Sequence, residues 1–377
     1  MSQGDSKDKL LNKRKDPGFV FPKVTIAAGT LLPLFIWAIT NCSVKDTVKG
    51  GGSIPAHHTA SGFRNPHQQS QRSFLQFLQW QFGLGPADAP VIPAEEIPPY
   101  SPEVVQPNLN HVNHPDPREI QVTWVGHSTF LIQVGGMNIL TDPIFSDRAS
   151  PVSFAGPRRL SPPGLSMEDL PTVHAVVLSH DHYDHLDGPT IERLGPSVRY
   201  FAPLGVGRWL AQRNIRDFVE LDWWESTPLG SMRIHAVPAQ HFSGRTPFRR
   251  SETLWMGWVL ETPAGNVFFA GDTGYAPFFR EIGDRFAPIR LSLIPIGAYR
   301  PRWFMGPMHV DPPEAVRIHM DLGSEKSIAM HWGTFRLADE PMGEPPVYLR
   351  KAMQEAGLEP DHFVLMRIGE TLRVVPR

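Results

Sequence analysis

The segment Leu178-Ser179-His180-Asp181-His182-Tyr183-Asp184-His185-Leu186-Asp187 decides how the rest of this chain is read. It continues Ala175-Val176-Val177, a short apolar run of strand character, so the cluster sits where a buried strand opens into a loop. Five side chains able to bind a metal fall within six residues, from His180 to His185. His180 and His182 can turn to one ion while Asp184 and His185 reach a second. Imidazole and carboxylate donors without a thiolate suit zinc first, then iron or manganese. A solvated polar loop does not account for the cluster, because groups crowded this closely repel when charged unless a cation holds them. The stretch reads as a metal site.

One loop cannot fill two coordination spheres, so distant residues must contribute. Three segments share one format, an apolar strand ending in a polar ligand beside glycine or serine. They are Gln240-His241-Phe242-Ser243, Ala270-Gly271-Asp272-Thr273-Gly274 and Met330-His331-Trp332-Gly333. A lone His or Asp at a strand end is usually structural. Three of them together with the 180–185 cluster reverse that reading.

Composition sets limits on the remainder. The chain has 377 residues, enough for one large domain with appendages, and 41% hydrophobic and 10% aromatic content, as in a globular protein. A net charge of −2 argues against a nucleic-acid partner, which calls for a basic face. Cys42 is the only cysteine, which leaves neither an internal disulfide nor a thiolate zinc site.

Along the chain, residues 1–23 form a basic tail containing Lys13-Arg14-Lys15, and residues 24–44 carry no charge. That length suits a transmembrane or signal-anchor helix, while its strongly apolar heart, Leu31 to Ile39, also suits a cleaved signal. Ile39-Thr40-Asn41-Cys42 loosely resembles a lipoprotein cleavage site, and a plain buried helix stays open beside these readings. The basic tail places the N-terminus in the cytoplasm, so the expected localisation is at a membrane with the catalytic body on the non-cytoplasmic side. Residues 45–70, with Gly50-Gly51-Gly52-Ser53, read as a flexible linker in which His57 and His58 are solvated. Residues 71–117 read as an arm. Its Ser73–Phe82 stretch has helical spacing, and its apolar side either docks on the body or lies in a lipid interface. The body is expected from 118 to 377, with many short strands and interspersed helices. Gly135-Gly136 predicts a hairpin between Thr129–Val134 and Met137–Thr141, and Asp311 with Glu314 predicts a capped helix over Pro312–Asp321.

The cluster and the later His, Asp and His together resemble the metallo-β-lactamase superfamily. Within it the chain is most similar to the N-acylphosphatidylethanolamine phospholipase D family, on Trp124-Val125-Gly126-His127-Ser128-Thr129, Arg148-Ala149-Ser150-Pro151, Glu220-Leu221-Asp222-Trp223-Trp224-Glu225, Pro301-Arg302-Trp303-Phe304-Met305 and His331-Trp332-Gly333-Thr334-Phe335. The resemblance runs from about Gly62 to the C-terminus. It implies an α/β fold, the αβ/βα four-layer sandwich, here with an N-terminal hydrophobic anchor segment. It implies two Zn2+ per chain: His180, His182 and His241 on one, Asp184, His185 and His331 on the other, and Asp272 bridging. Asp142 would support the ligand loop, with Asp187 helping. Asp272, Asp184 and His309 would form the catalytic set, His309 orienting the phosphate or assisting proton transfer, although a structural role before a helix cap also suits it. The implied reaction is hydrolysis of N-acylphosphatidylethanolamine to N-acylethanolamine and phosphatidic acid; the alternative is a metal-dependent lactonase or amidase on the same fold. The implied partners are a phospholipid substrate and a membrane surface, with a homodimer left open. Arg245, Arg249 and Arg250 could attract anionic lipid or form a solvated basic loop.

Overall fold

A computed structural model describes residues 54–68, 72–246 and 249–375. The tail, the uncharged segment 24–44 and Cys42 lie outside the described residues. Among those described, no helix is long and apolar enough to cross a membrane.

Two seven-stranded mixed sheets carry the body. The first runs in the order Thr371–Val374, Ile120–Gly126, Thr129–Val134, Met137–Thr141, Ala175–Val177, Arg199–Pro203, Phe218–Leu221. The second runs Phe363–Val364, Ser327–Met330, Ile289–Pro295, Asn266–Phe269, Gly257–Glu261, Met232–Val237, Ser226–Leu229. Alternation along each strand decides which layer a side chain joins. Phe130, Ile132 and Val134 point into the core shared with Ile234, Trp258, Leu260 and Leu293 of the other sheet. Leu131, Val176 and Leu140 point outward and are covered by Ile191 and Leu210, from helices Gly188–Leu194 and Gly207–Ala211. Helices Phe278–Phe286, Pro312–Asp321 and Glu344–Glu355 add Phe279, Ile282, Val316, Ile318 and Leu349 to the core. The layering is the expected helix–sheet–sheet–helix sandwich.

The local signals operate as read. Gly135 and Gly136 have φ of 58° and 78°, the left-handed pair that a tight hairpin needs, and Thr129–Val134 pairs antiparallel with Met137–Thr141. Pro312–Asp321 begins at a full capping box between Asp311 and Glu314. Ser226–Leu229 carries no strand signal because of Pro228, which a sheet tolerates at an edge, and this strand is an edge.

Two boundaries need correction. Residues 54–68 do not behave as a free linker, and His57 and His58 are not solvated. His57 and His58 place their Nε2 atoms 2.6 and 2.7 Å from the two carboxylate oxygens of Asp222, and the His57 ring stacks on Trp223. Asn65 donates to the carbonyl of His241 at 2.6 Å, which ties this segment to a predicted ligand. The body also begins before residue 118, since Ile92 and Val112 are buried, Val104 bridges Ile368, and the Tyr100 hydroxyl donates to the Gly333 carbonyl. The helix Phe74–Gln81 forms as expected, capped by Ser73 with Gln76. It belongs to a separate compact unit and leaves Leu75 and Phe77 exposed.

Replacing Asp222 with Ala would leave two imidazoles without their acceptor, one of them buried. A loss of about 1–3 kcal/mol in denaturant unfolding is expected, with metal content unchanged.

Candidate metal centre

The sequence-predicted ligands stand at the ends of different strands, and the fold brings all of them together. The loop 180–185 follows Ala175–Val177, His241 follows Met232–Val237, Asp272 follows Asn266–Phe269, and His331 follows Ser327–Met330 directly. Turning abruptly from strand to site strains the backbone. His127, Asp142 and His331 all have positive φ, at 55°, 34° and 59°, a conformation non-glycine residues avoid unless their surroundings impose it. Gly271, at φ 60°, is needed twice over, because a Cβ there would come within 2.5 Å of Ser179 Cβ beside His180.

Two groups of donor atoms result, His180–His182–His241–Asp272 and His127–Asp184–His185–His331. In the first, His182 Nδ1 lies 2.8 Å from His180 Nε2 and 3.2 Å from His241 Nε2. In the second, Asp184 Oδ2 lies 3.2 Å from His185 Nε2 and 3.3 Å from His331 Nε2. Asp272 reaches both. Its Oδ2 is 3.2 Å from His185 Nε2, 3.8 Å from His241 Nε2 and 3.9 Å from His180 Nε2, and its Oδ1 is 3.1 Å from His331 Nε2. A tetrahedral cation with bonds of about 2.0–2.1 Å sets its ligand atoms about 3.3 Å apart. The contacts of 3.1 to 3.3 Å match that spacing, while the His180–His182 pair at 2.8 Å is closer and Asp272 at 3.8 and 3.9 Å from His241 and His180 is further off. His185 Nε2 and Asp272 Oδ1 are buried without a hydrogen bond, which fits atoms whose partner is a cation.

The groups behind the donors fix which nitrogen faces inward. His185 Nδ1 is 2.7 Å from Asp142 Oδ2, and His241 Nδ1 is 2.8 Å from the Met308 carbonyl, leaving Nε2 of each for the site. Asp142 also accepts from the backbone N–H and hydroxyl of Ser179, the support expected of it. Asp187 does not share that task; it binds Ser146 and Thr190, at the start of the next helix. Arg245 is no lipid-facing cation. Its Nη1 donates to the carbonyls of Asp181 and Leu186 and its guanidinium lies over Tyr183, so it clamps the ligand loop from behind. Arg249 and Arg250 are exposed. His309 is buried beside His241 and His331, with Nδ1 4.0 Å from Asp272 Oδ2 and no hydrogen bond to that nitrogen.

Charge in the site follows from burial and these neighbours. Burial pushes His182 down to about 3 and His241 to about 4, and takes His180 well below the imidazole range, so these are neutral donors. Burial alone would protonate Asp184 and Asp272, but His185 beside both outweighs it and holds them well below the carboxylate range. Burial would likewise lower His185 and His331. Asp272 leads the carboxylates that instead carry His185 well above the usual value and His331 up to about 9. Without a metal, two protons therefore occupy the place of positive charge.

The sequence reading gave His127 no task, yet its Nε2 is 2.9 Å from Asp184 Oδ2. The signal was present, since Gly126-His127-Ser128 ends the strand Ile120–Gly126 in the same format as the other ligands.

The family description "Beta-lactamase superfamily domain" matches residues 137–332, just over half of the chain. The Caenorhabditis elegans N-acyl-phosphatidylethanolamine-hydrolyzing phospholipase D 1 is 39% identical over 268 residues, covering 66% of this chain and 74% of that protein. The chain belongs to the metallo-β-lactamase superfamily and, within it, to the N-acylphosphatidylethanolamine phospholipase D family. A protein of Mycobacterium tuberculosis is 43% identical over 301 residues, 78% of this chain and 76% of its own length. Among solved structures, the metallo hydrolase Igni18 from Ignicoccus hospitalis superposes with a TM-score of 0.53 at 22% identity, over 69% of this chain and all of that one, a likeness of fold. Metal-dependent hydrolysis is the activity class of this phospholipase D family member.

Loading chelator-stripped protein with zinc at pH 7 should release about two protons, those held by His185 and His331. Below the raised values of these imidazoles protons compete with the metal, so affinity should rise with pH at least as far as about 9, the value for His331. Calorimetry in buffers of different ionisation enthalpy reads this, and a proton count of zero would contradict it.

Proposed function

We propose that this hydrolase cleaves the phosphodiester of N-acylphosphatidylethanolamine on the head-group side, giving phosphatidic acid and N-acylethanolamine, with two zinc ions held by His180, His182, His241, Asp184, His185, His331 and Asp272. The observation that carries the reading is the single carboxylate of Asp272, within about 4 Å of imidazoles from both groups. Two cations supply a water nucleophile at neutral pH and offset the charge that builds on the phosphate oxygens. The nematode relative's name supports the lipid substrate.

The chain's own residues hold the reacting groups in place. His309 faces Asp272, and its carbonyl is pinned by Arg302, which in turn pairs with Glu314 at 2.7 Å. Burial holds its imidazole neutral, well below the ordinary value, so at pH 7 it can present an N–H to a phosphate oxygen. Water adds to phosphorus, the bond to the ethanolamine oxygen breaks, and the proton ends on that alcohol. The exposed Leu75 and Phe77 of the Phe74–Gln81 helix and the uncharged stretch 24–44 support attachment to a membrane, and the basic residues 1–23 ahead of that stretch support a catalytic body on the non-cytoplasmic side. The lactonase or amidase reading is not favoured.

Mass spectrometry of mixed phospholipid vesicles incubated with the zinc-loaded full chain tests the substrate. N-acylethanolamine and phosphatidic acid are the expected products; unchanged phospholipids, or diacylglycerol with a phosphorylated head group, would contradict the reading. His309→Gln should lower kcat by about 10²–10⁴ while zinc content stays at the wild-type level.

A further inference from the structure

His127 is held more firmly than a core histidine needs to be. Its backbone sits in the left-handed region at φ 55°. Its N–H donates to Thr334 Oγ1 at 2.7 Å, and its carbonyl accepts from Trp124 Nε1 at 3.0 Å and from the backbone N–H of His331 at 3.1 Å. The ring is 1% exposed, lies 4.1 Å from the His331 ring and meets the edge of Phe335. All this directs Nε2 at Asp184 Oδ2, 2.9 Å away. That distance is a hydrogen bond's, shorter than the contacts of 3.2 and 3.3 Å that the same oxygen makes with His185 and His331. A carboxylate oxygen has lone pairs for both a cation and an N–H.

We propose that His127 is a positioning residue for one cation only, the one held by Asp184, His185 and His331. Its Nε2–H donates to Asp184 Oδ2 and aims the carboxylate, while its carbonyl holds the backbone N–H of His331, so one residue orients two of those three ligands. None of its hydrogen bonds reaches His180, His182 or His241. The inference rests on the two-cation reading above and adds an asymmetry to it.

The test is zinc titration of the chelator-stripped full chain against a competing chromophoric chelator, for wild type, His127→Asn and His127→Gln. Asn tolerates the left-handed backbone but is too short to reach Asp184, whereas Gln keeps an N–H donor at longer reach. In His127→Asn one dissociation constant should rise about 10–100-fold and the other stay within about 3-fold, and His127→Gln should recover most of the loss. Anomalous scattering from crystals of His127→Asn at one equivalent of zinc should place the retained ion beside His180, His182 and His241. The inference is overturned if both constants are unchanged, if both weaken equally, or if Asn and Gln alike abolish one ion, which would make His127 a ligand. A wild-type chain that holds a single ion would instead sink the two-cation reading itself, and this inference with it.

Discussion

Asp272 is 3% exposed, and a buried carboxylate is tolerated only if what replaces its water is nearly as good. Here the replacements are imidazole nitrogens of His185 and His331 close to its two oxygens, with His180, His241 and His309 further out. Such an arrangement is stable only with positive charge between the groups, supplied by protons on His185 and His331 or by metal ions. Selection of this shared carboxylate fixes much else: the strand ends must converge, and the imidazoles must present defined nitrogens.

The sandwich meets that demand by opening strands from both sheets toward one place. Ala175–Val177 and Ser327–Met330 are buried along their whole length, and Asn266–Phe269 in all but its first residue, so the residues beyond them are carried on rigid strand ends. Asp142, Arg245 and the Met308 carbonyl then fix the loop and ring orientations from behind. The positive φ values at Asp142, His127 and His331 are sustained by this packing.

Much of this was legible because a metal site needs particular side chains and these are rare in combination. His180 to His185 announced the centre, and the strand-then-polar format located His241, Asp272 and His331. The hairpin at Gly135-Gly136 and the cap at Asp311 were readable because turns and caps have local chemistry. What was not legible depended on partners far away in the chain. His57 and His58 looked solvated because Asp222, which accepts from both, is more than 160 residues distant. Arg245 looked like a surface cation until the carbonyls of Asp181 and Leu186 gave its guanidinium a place. The edge strand Ser226–Leu229 was hidden by Pro228, since sequence alone does not say which strand lies at an edge.

The central claim is that one carboxylate joins two cation sites built from different strands. Anomalous diffraction at the zinc edge from crystals of the zinc-loaded protein tests it most directly. The account predicts two peaks, each about 2.0–2.2 Å from an oxygen of Asp272, one among His180, His182 and His241 and the other among Asp184, His185 and His331. A single peak, or two peaks of which either lies out of reach of Asp272, would contradict it.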